Sequence, residues 1–226
     1  MRAVAGQRKT VVFLIGAPGV GKSTTSRRLA ADFGLHAFQS GQVLRDAAKN
    51  AKDPRLRQLI DFRMKRSMPM PVEVYCRLVR DHIPRGASNG LVFDGYPRNV
   101  EQTTNIPAVL ETVSMTDDQV IGFVLEAPQD VLIARSATRF VCGTCGQETQ
   151  GEGGCCQAPR VHRRADDSMG HLLARSERFH ELLPSVRQAF ASRWPCFDIN
   201  AGRSHDEVLA SIRNHLQLFS ESLGDL

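Results

Sequence analysis

The run GAPGVGKST, from Gly16 to Thr24, holds three glycines, a lysine and two hydroxyls at fixed spacing. Gly16, Gly21, Lys22 and Ser23 fit G-x-x-x-x-G-K-[ST], a loop whose backbone N–H groups close around phosphate oxygens. Pro18, Gly19, Val20 and Thr24 complete the cradle. Lys22 can reach the β- and γ-phosphates of a nucleoside triphosphate, and the Ser23 hydroxyl can ligate magnesium. A helix beginning near Lys22 would aim its partly positive N-terminus at the same anion. The pattern predicts a bound triphosphate and leaves open where its terminal phosphoryl group goes.

A second cluster, DGYPR, spans Asp94 to Arg98 directly after the apolar run LVF. Asp94 at the carboxyl end of a strand can hold magnesium or its waters. Gly95 and Pro97 shape a tight turn, and Arg98 projects into the crevice where such sheets bind ligands. Four of the six cysteines crowd between Cys142 and Cys156. Cys142-Gly-Thr-Cys145-Gly is a zinc-knuckle half-site. Cys155 and Cys156 would supply the second half, although adjacent thiolates diverge, and His162 is an alternative fourth ligand. The competing reading is a degenerate site of unliganded thiols. Cys76 and Cys196 stand alone and are read as ordinary buried residues.

These groups need elements to position them. Residues 10–15 (TVVFLI) and 120–125 (VIGFVL) read as buried parallel strands, with shorter strands at 35–39, 91–93 and 196–199. Helical spacing follows each, over 41–50, 54–66, 72–83, 99–112, 128–137, from about 168 past 190, and 206–219. Asp53-Pro54 is an N-cap followed by proline at the first helical position. Alternation of this kind implies an α/β fold with a parallel sheet covered on both faces. Residues 141–159 carry five glycines and four cysteines with little apolar periodicity, so they read as an insertion outside the main core.

Bulk properties narrow the function. A chain of 226 residues can form one large domain with insertions. Lys and Arg outnumber Asp and Glu by 29 to 24, and the basic residues are dispersed without a long run. That favours anionic small ligands over a nucleic-acid tail. No stretch approaches the roughly 20 apolar residues of a membrane helix, nor is a signal peptide evident. A cytoplasmic protein without nucleic-acid or membrane partners is expected, and a monomer.

Taken together, the phosphate loop and DGYPR resemble the adenylate kinase family of nucleoside monophosphate kinases, and the likeness spans nearly the whole chain. Ser40-Gly41 and Arg45 stand where the family has T-G-x-x-x-R. Met64 to Glu73 resembles the segment enclosing the acceptor base, including Met68 and Met70. Gln102 follows Arg98 by four residues. Arg135 and Arg139 match a pair at the start of the family's lid. Arg164-Ala-Asp166-Asp167 matches its R-x-D-D, and Arg175 follows eleven residues later. Asn200 to Arg203 resembles the loop that touches the donor adenine. Departures are Ser23 for a usual glycine, Gln42 for Asp, Ser40 for Thr, and Ser67, Pro69 and Val72 in the base-enclosing segment.

The resemblance implies a five-stranded P-loop kinase, residues 1–226, with an acceptor-binding insertion at 39–71 and a lid at 138–165. It implies transfer of the γ-phosphoryl group of Mg-ATP to AMP, giving two ADP. Lys22, Arg98, Arg139, Arg164 and Arg175 would be catalytic. Gly16 to Thr24 (Ala17 aside), Arg135, Arg139 and Arg203 would bind ATP. Ser40, Arg45, Met68, Met70, Gly95, Arg98, Gln102, Arg164 and Arg175 would bind AMP. Ser23 and Asp94 would serve magnesium, and Cys142, Cys145, Cys155 and Cys156 one structural zinc. No general base is required, because the attacking phosphate is already anionic. The Gln102 amide can pair with adenine, or, flipped, with guanine. Relatives acting on pyrimidine monophosphates tend to have Asn at that position, and they share Asn99. UMP, CMP and GMP therefore stay open as acceptors. A more distant alternative is a non-catalytic nucleotide-binding regulator with a zinc module.

Overall fold

Parallel strands cannot be joined by tight hairpins, so each return of the chain needs a crossover. A computed structural model describes residues 9–66, 68–84, 87, 89–116, 119–144, 148–150, 156, 161–162 and 169–224. β1 (Thr10–Gly16) leads through α1 (Lys22–Phe33) to β2 (His36–Gln39). Three helices follow: α2 (Ser40–Asn50), α3 (Pro54–Lys65) and α4 (Val72–His82). Next come β3 (Gly90–Asp94), α5 (Val100–Thr104), α6 (Ile106–Glu111), β4 (Gln119–Glu126) and α7 (Gln129–Ala137). A small sheet of β5 (Arg139–Cys142), β6 (Glu148–Gln150) and β7 (Val161–His162) precedes α8 (Met169–Ala191), β8 (Cys196–Asn200) and α9 (His205–Gly224). The main sheet is five-stranded and parallel, as expected, and its strand order is β2-β3-β1-β4-β8.

β1 lies at the centre, and Val11 to Ile15 are fully buried. Its alternation splits them between two cores. Val11, Phe13 and Ile15 face a cluster with Val79, Tyr96, Ile106, Val186 and Phe190. Val12 and Leu14 face Leu29, Leu132, Val208 and Ile212 on the other side. Phe13 stacks on Phe93 of β3 with ring centres 4.8 Å apart. Each such fully buried side chain contributes about 1.5–3 kcal/mol. Trp194, the single tryptophan, packs at the edge of the first cluster, 5.2 Å from the Phe190 ring.

A third, smaller cluster belongs to the helices between β2 and β3. Ala47, Leu56, Ile60, Met70 and Leu78 form it, with Val74 packed alongside. The Asp53 side chain accepts the Arg55 N–H at 2.9 Å, the predicted cap of α3. α4 is apolar on two faces. Tyr75 and Val79 enter the main core, while Val74 and Leu78 enter the small one.

Other elements also differ from expectation. The helix expected over 99–112 is broken at Asn105, because Pro107 has no N–H with which to continue the ladder. Residues 139–162 contain antiparallel strands, and their short pairings left no readable period. Cys76 and Cys196, expected to be buried, are only half-buried, since both sit at the margin of the first cluster.

Candidate active site

The loop from Gly16 to Gly21 joins the buried end of β1 to α1. Gly19 and Gly21 hold φ at 85° and 101°, a region in which a side chain would be strained. Gly21 caps α1 without any side-chain bond, so the first-turn N–H groups face the loop's concavity. Lys22 Nζ donates to the carbonyls of Gly16 and Ala17, both at 2.8 Å. This ammonium sits half-buried at the cavity wall, and burial pulls its pKa down to about 8. Asp94 pulls the other way, while Arg98, Arg175 and Arg139 add to the depression.

The Ser23 hydroxyl donates to Asp94 Oδ2 at 2.6 Å, joining the start of α1 to the end of β3. A hydroxyl and a buried carboxylate so close form an oxygen donor set suited to magnesium. Gln39, unremarked in the sequence, donates to the Ser23 carbonyl at 3.1 Å and braces the same corner.

Across the cavity, Gly95 turns with φ of 77°, and Arg98 Nε donates to its carbonyl at 2.7 Å. The Arg98 backbone N–H donates to Gln102 Oε1 at 2.8 Å. Asn99 caps α5 by accepting the Gln102 N–H at 2.8 Å. Arg45 donates to Gln42 Oε1 at 2.9 Å, so glutamine can orient this arginine where the family often has Asp. Ser40 and Tyr75 are both buried, with their hydroxyl oxygens 2.7 Å apart.

These groups line one cavity of about 700 Å³, large enough for small-molecule ligands. Nine cationic side chains line it against one carboxylate, Asp94, so its ligands must be anionic. Among the expected donor-side residues, Gly16, Pro18, Gly19, Gly21, Lys22, Ser23, Thr24, Arg135 and Arg139 line it. On the acceptor side Ser40, Arg45, Met68, Met70, Gly95, Arg98, Gln102 and Arg175 do so. Arg164 lies outside the described residues, as do Asp166, Asp167 and Ser67.

Two expected residues do not reach the cavity lining. Val20 is buried beneath the loop, and the Arg203 side chain is exposed. Their carbonyls instead accept from Arg135, at 3.4 Å and 3.1 Å, and the Ala201 carbonyl does so at 2.8 Å. Arg135 thereby ties the loop after β8 to the phosphate loop. Tyr75 and Arg178 are lining residues that sequence reading passed over. Arg178 stands three residues after Arg175, on the same helical face, a signal that was available.

Cys142 is buried at the end of β5, Cys156 is half-buried, and His162 on β7 is exposed. Cys145 and Cys155 lie outside the described residues. Among the described residues no three His, Cys, Asp or Glu side chains gather as a metal site. No helix among them is long and apolar enough to cross a membrane.

Comparison with known proteins agrees with this geometry. Residues 14–195 match the family model described as adenylate kinase. An adenylate kinase of Carboxydothermus hydrogenoformans is 27% identical over 215 residues, covering 91% of this chain and 99% of the relative. One from Paracoccus denitrificans is 31% identical over 181 residues, 75% of this chain and 80% of the relative. A third, from Novosphingobium aromaticivorans, is 28% identical over 215 residues, 89% and 96% of the two chains. With the phosphate loop, the arginine-lined cavity and the family match in agreement, the chain belongs to the adenylate kinase family.

Proposed function

We propose that this nucleotide kinase transfers the γ-phosphoryl group of Mg-ATP to AMP, yielding two ADP. One observation carries the choice of AMP, the bond from the Arg98 backbone N–H to Gln102 Oε1. It fixes which end of the amide is which. Flipping the amide would set an N–H against an N–H. In the fixed orientation Nε2 is a donor, and the carbonyl keeps a second lone pair. Adenine matches this order, with N1 as acceptor beside the N6–H donors. Guanine and uracil present the reverse order and require the flipped amide. Cytosine matches in polarity, but its single ring fills less of the cavity.

In this reading Lys22 and the first turn of α1 hold the donor phosphates. Arg45 and Arg98 hold the acceptor phosphate. Arg139 and Arg175, with Arg164 from the segment before α8, offset the charge that accumulates as the two anions meet. Ser23 and Asp94 would hold magnesium, which supplies charge neutralisation across the β- and γ-phosphates. α2 and α3 form the acceptor-binding insertion, residues 39–71, and residues 138–165 the lid. Cys142, Cys145, Cys155 and Cys156 are proposed to hold one structural zinc there. Val141 and Cys142 lie outside all three apolar clusters, so the lid's order needs another source.

The test is diphosphate formation from Mg-ATP with AMP, CMP, GMP and UMP supplied separately. AMP should give the highest kcat/KM, CMP a lower one, and GMP and UMP at least about a hundredfold less, the usual cost of mispaired buried polar groups. Turnover of GMP or UMP equal to that of AMP would overturn the assignment.

A further inference from the structure

Beneath the acceptor half of the cavity, Tyr75 of α4 and Tyr96 of the DGYPR turn lie ring on ring. Their centres are 4.1 Å apart and their planes 14° from parallel. Phe38 meets Tyr75 edge-on at 5.8 Å, so the phenol has little freedom to swing. Each ring sends its hydroxyl to a different acceptor-side residue. Tyr96 Oη donates to the backbone carbonyl of Gln102 at 2.9 Å, and Tyr75 Oη pairs with Ser40 Oγ at 2.7 Å. The stacked pair thus spans from the start of α2 to the start of α5.

Two hydroxyls carry two protons, and one serves the bond between them. Among the described residues neither oxygen has a further protein partner. Either oxygen can donate in this bond; with the phenol, the more acidic group, donating, the serine accepts. The Ser40 proton is then left to point into the cavity. Burial holds the Tyr75 phenol far above its ordinary pKa, so it stays neutral and keeps its proton.

We propose that Tyr75 is a positioning residue for the acceptor nucleotide: it fixes the Ser40 oxygen so that the serine proton is presented to an acceptor atom of the bound monophosphate. The inference rests on the reading of this half of the cavity as the acceptor site.

The experiment is a double-mutant cycle with Tyr75→Phe, Ser40→Ala and the pair, measuring kcat and both KM values, with melting curves alongside. Tyr75→Phe keeps the stacked ring and should raise KM for AMP about tenfold, the worth of one oriented hydrogen bond. KM for ATP and kcat should stay within about twofold. Ser40→Ala should raise KM for AMP at least as much, and the double variant no further, because both act through one proton. An unchanged KM for AMP in Tyr75→Phe, or additive effects in the double variant, would overturn the proposal. If the phenylalanine variant melts early, Ser40→Ala against the double variant still decides, since a purely structural tyrosine would weaken ATP and AMP binding alike. Should the unmodified protein prefer another monophosphate, the AMP reading falls. The same cycle on that acceptor then judges Tyr75 independently.

Discussion

Lys22 shows how a single residue couples binding to pH. Its ammonium is desolvated by burial and pressed by three arginines, with a pKa of about 8 against an ordinary 10.5. Only the protonated form attracts phosphate, so donor affinity should fall as pH rises through 8. A bound polyphosphate favours the charged form and raises the pKa again. Binding of Mg-ATP at pH 8 should therefore take up roughly half a proton. Calorimetric titration in two buffers of different ionisation enthalpy measures this uptake, and Lys22→Ala should abolish it. The same proton uptake in the alanine variant would mean that another group titrates. The residue's identity was legible from the loop pattern alone. Its depressed pKa was not, because it depends first on burial and then on Arg98, Arg175 and Arg139, residues 76 to 153 positions away in sequence that only folding brings near.

Among the elements, the helices between β2 and β3 hold together through their own small core. Ile60 is fully buried there and touches neither of the larger clusters. Ile60→Ala should cost about 2–5 kcal/mol, lost chiefly from α2 and α3. KM for the acceptor should rise while KM for ATP holds, which steady-state kinetics with each substrate varied would reveal. Equal loss on both sides would show that these helices are not a separate unit. Much of this level could be read in advance. The strands at 10–15 and 120–125 and the cap at Asp53-Pro54 carry strong local signals. Local signals were weak where tertiary contacts decide the outcome. The two-sided burial of α4 depends on which partners meet Val74 and Tyr75. The break at Asn105 was within reach, since Pro107 marks it. The acceptor constellation was legible as spacing, but not the bond that orients the Gln102 amide, because a backbone donor leaves no trace in residue types.

For the whole molecule, a main sheet buried on both faces carries two appended units, the small-core helices and the sheet of β5 to β7. Arg135 links the loop after β8 to the phosphate loop through three carbonyls. The glycine-rich segment around Cys142 has little apolar surface of its own, and glycine is the costliest residue to order. Protein purified without chelator should contain about one zinc per chain, measured by elemental analysis. Metal removal should lower the melting temperature and slow turnover, with Mg-ATP binding retained. Metal-free protein with unaltered melting and turnover would count against a structural zinc.

Trp194 gives this organisation an optical consequence. As the lone indole, packed against Phe190 at the margin of the main core, it is an intrinsic fluorophore that senses only its own neighbourhood. Its emission will follow melting of the sheet and α8, and it is blind to loss of α2 and α3. Circular dichroism, which counts every helix, sees both events. Denaturation of the Ile60→Ala variant followed by the two signals should give curves that separate, the ellipticity falling first, whereas coincident curves would mean one cooperative unit.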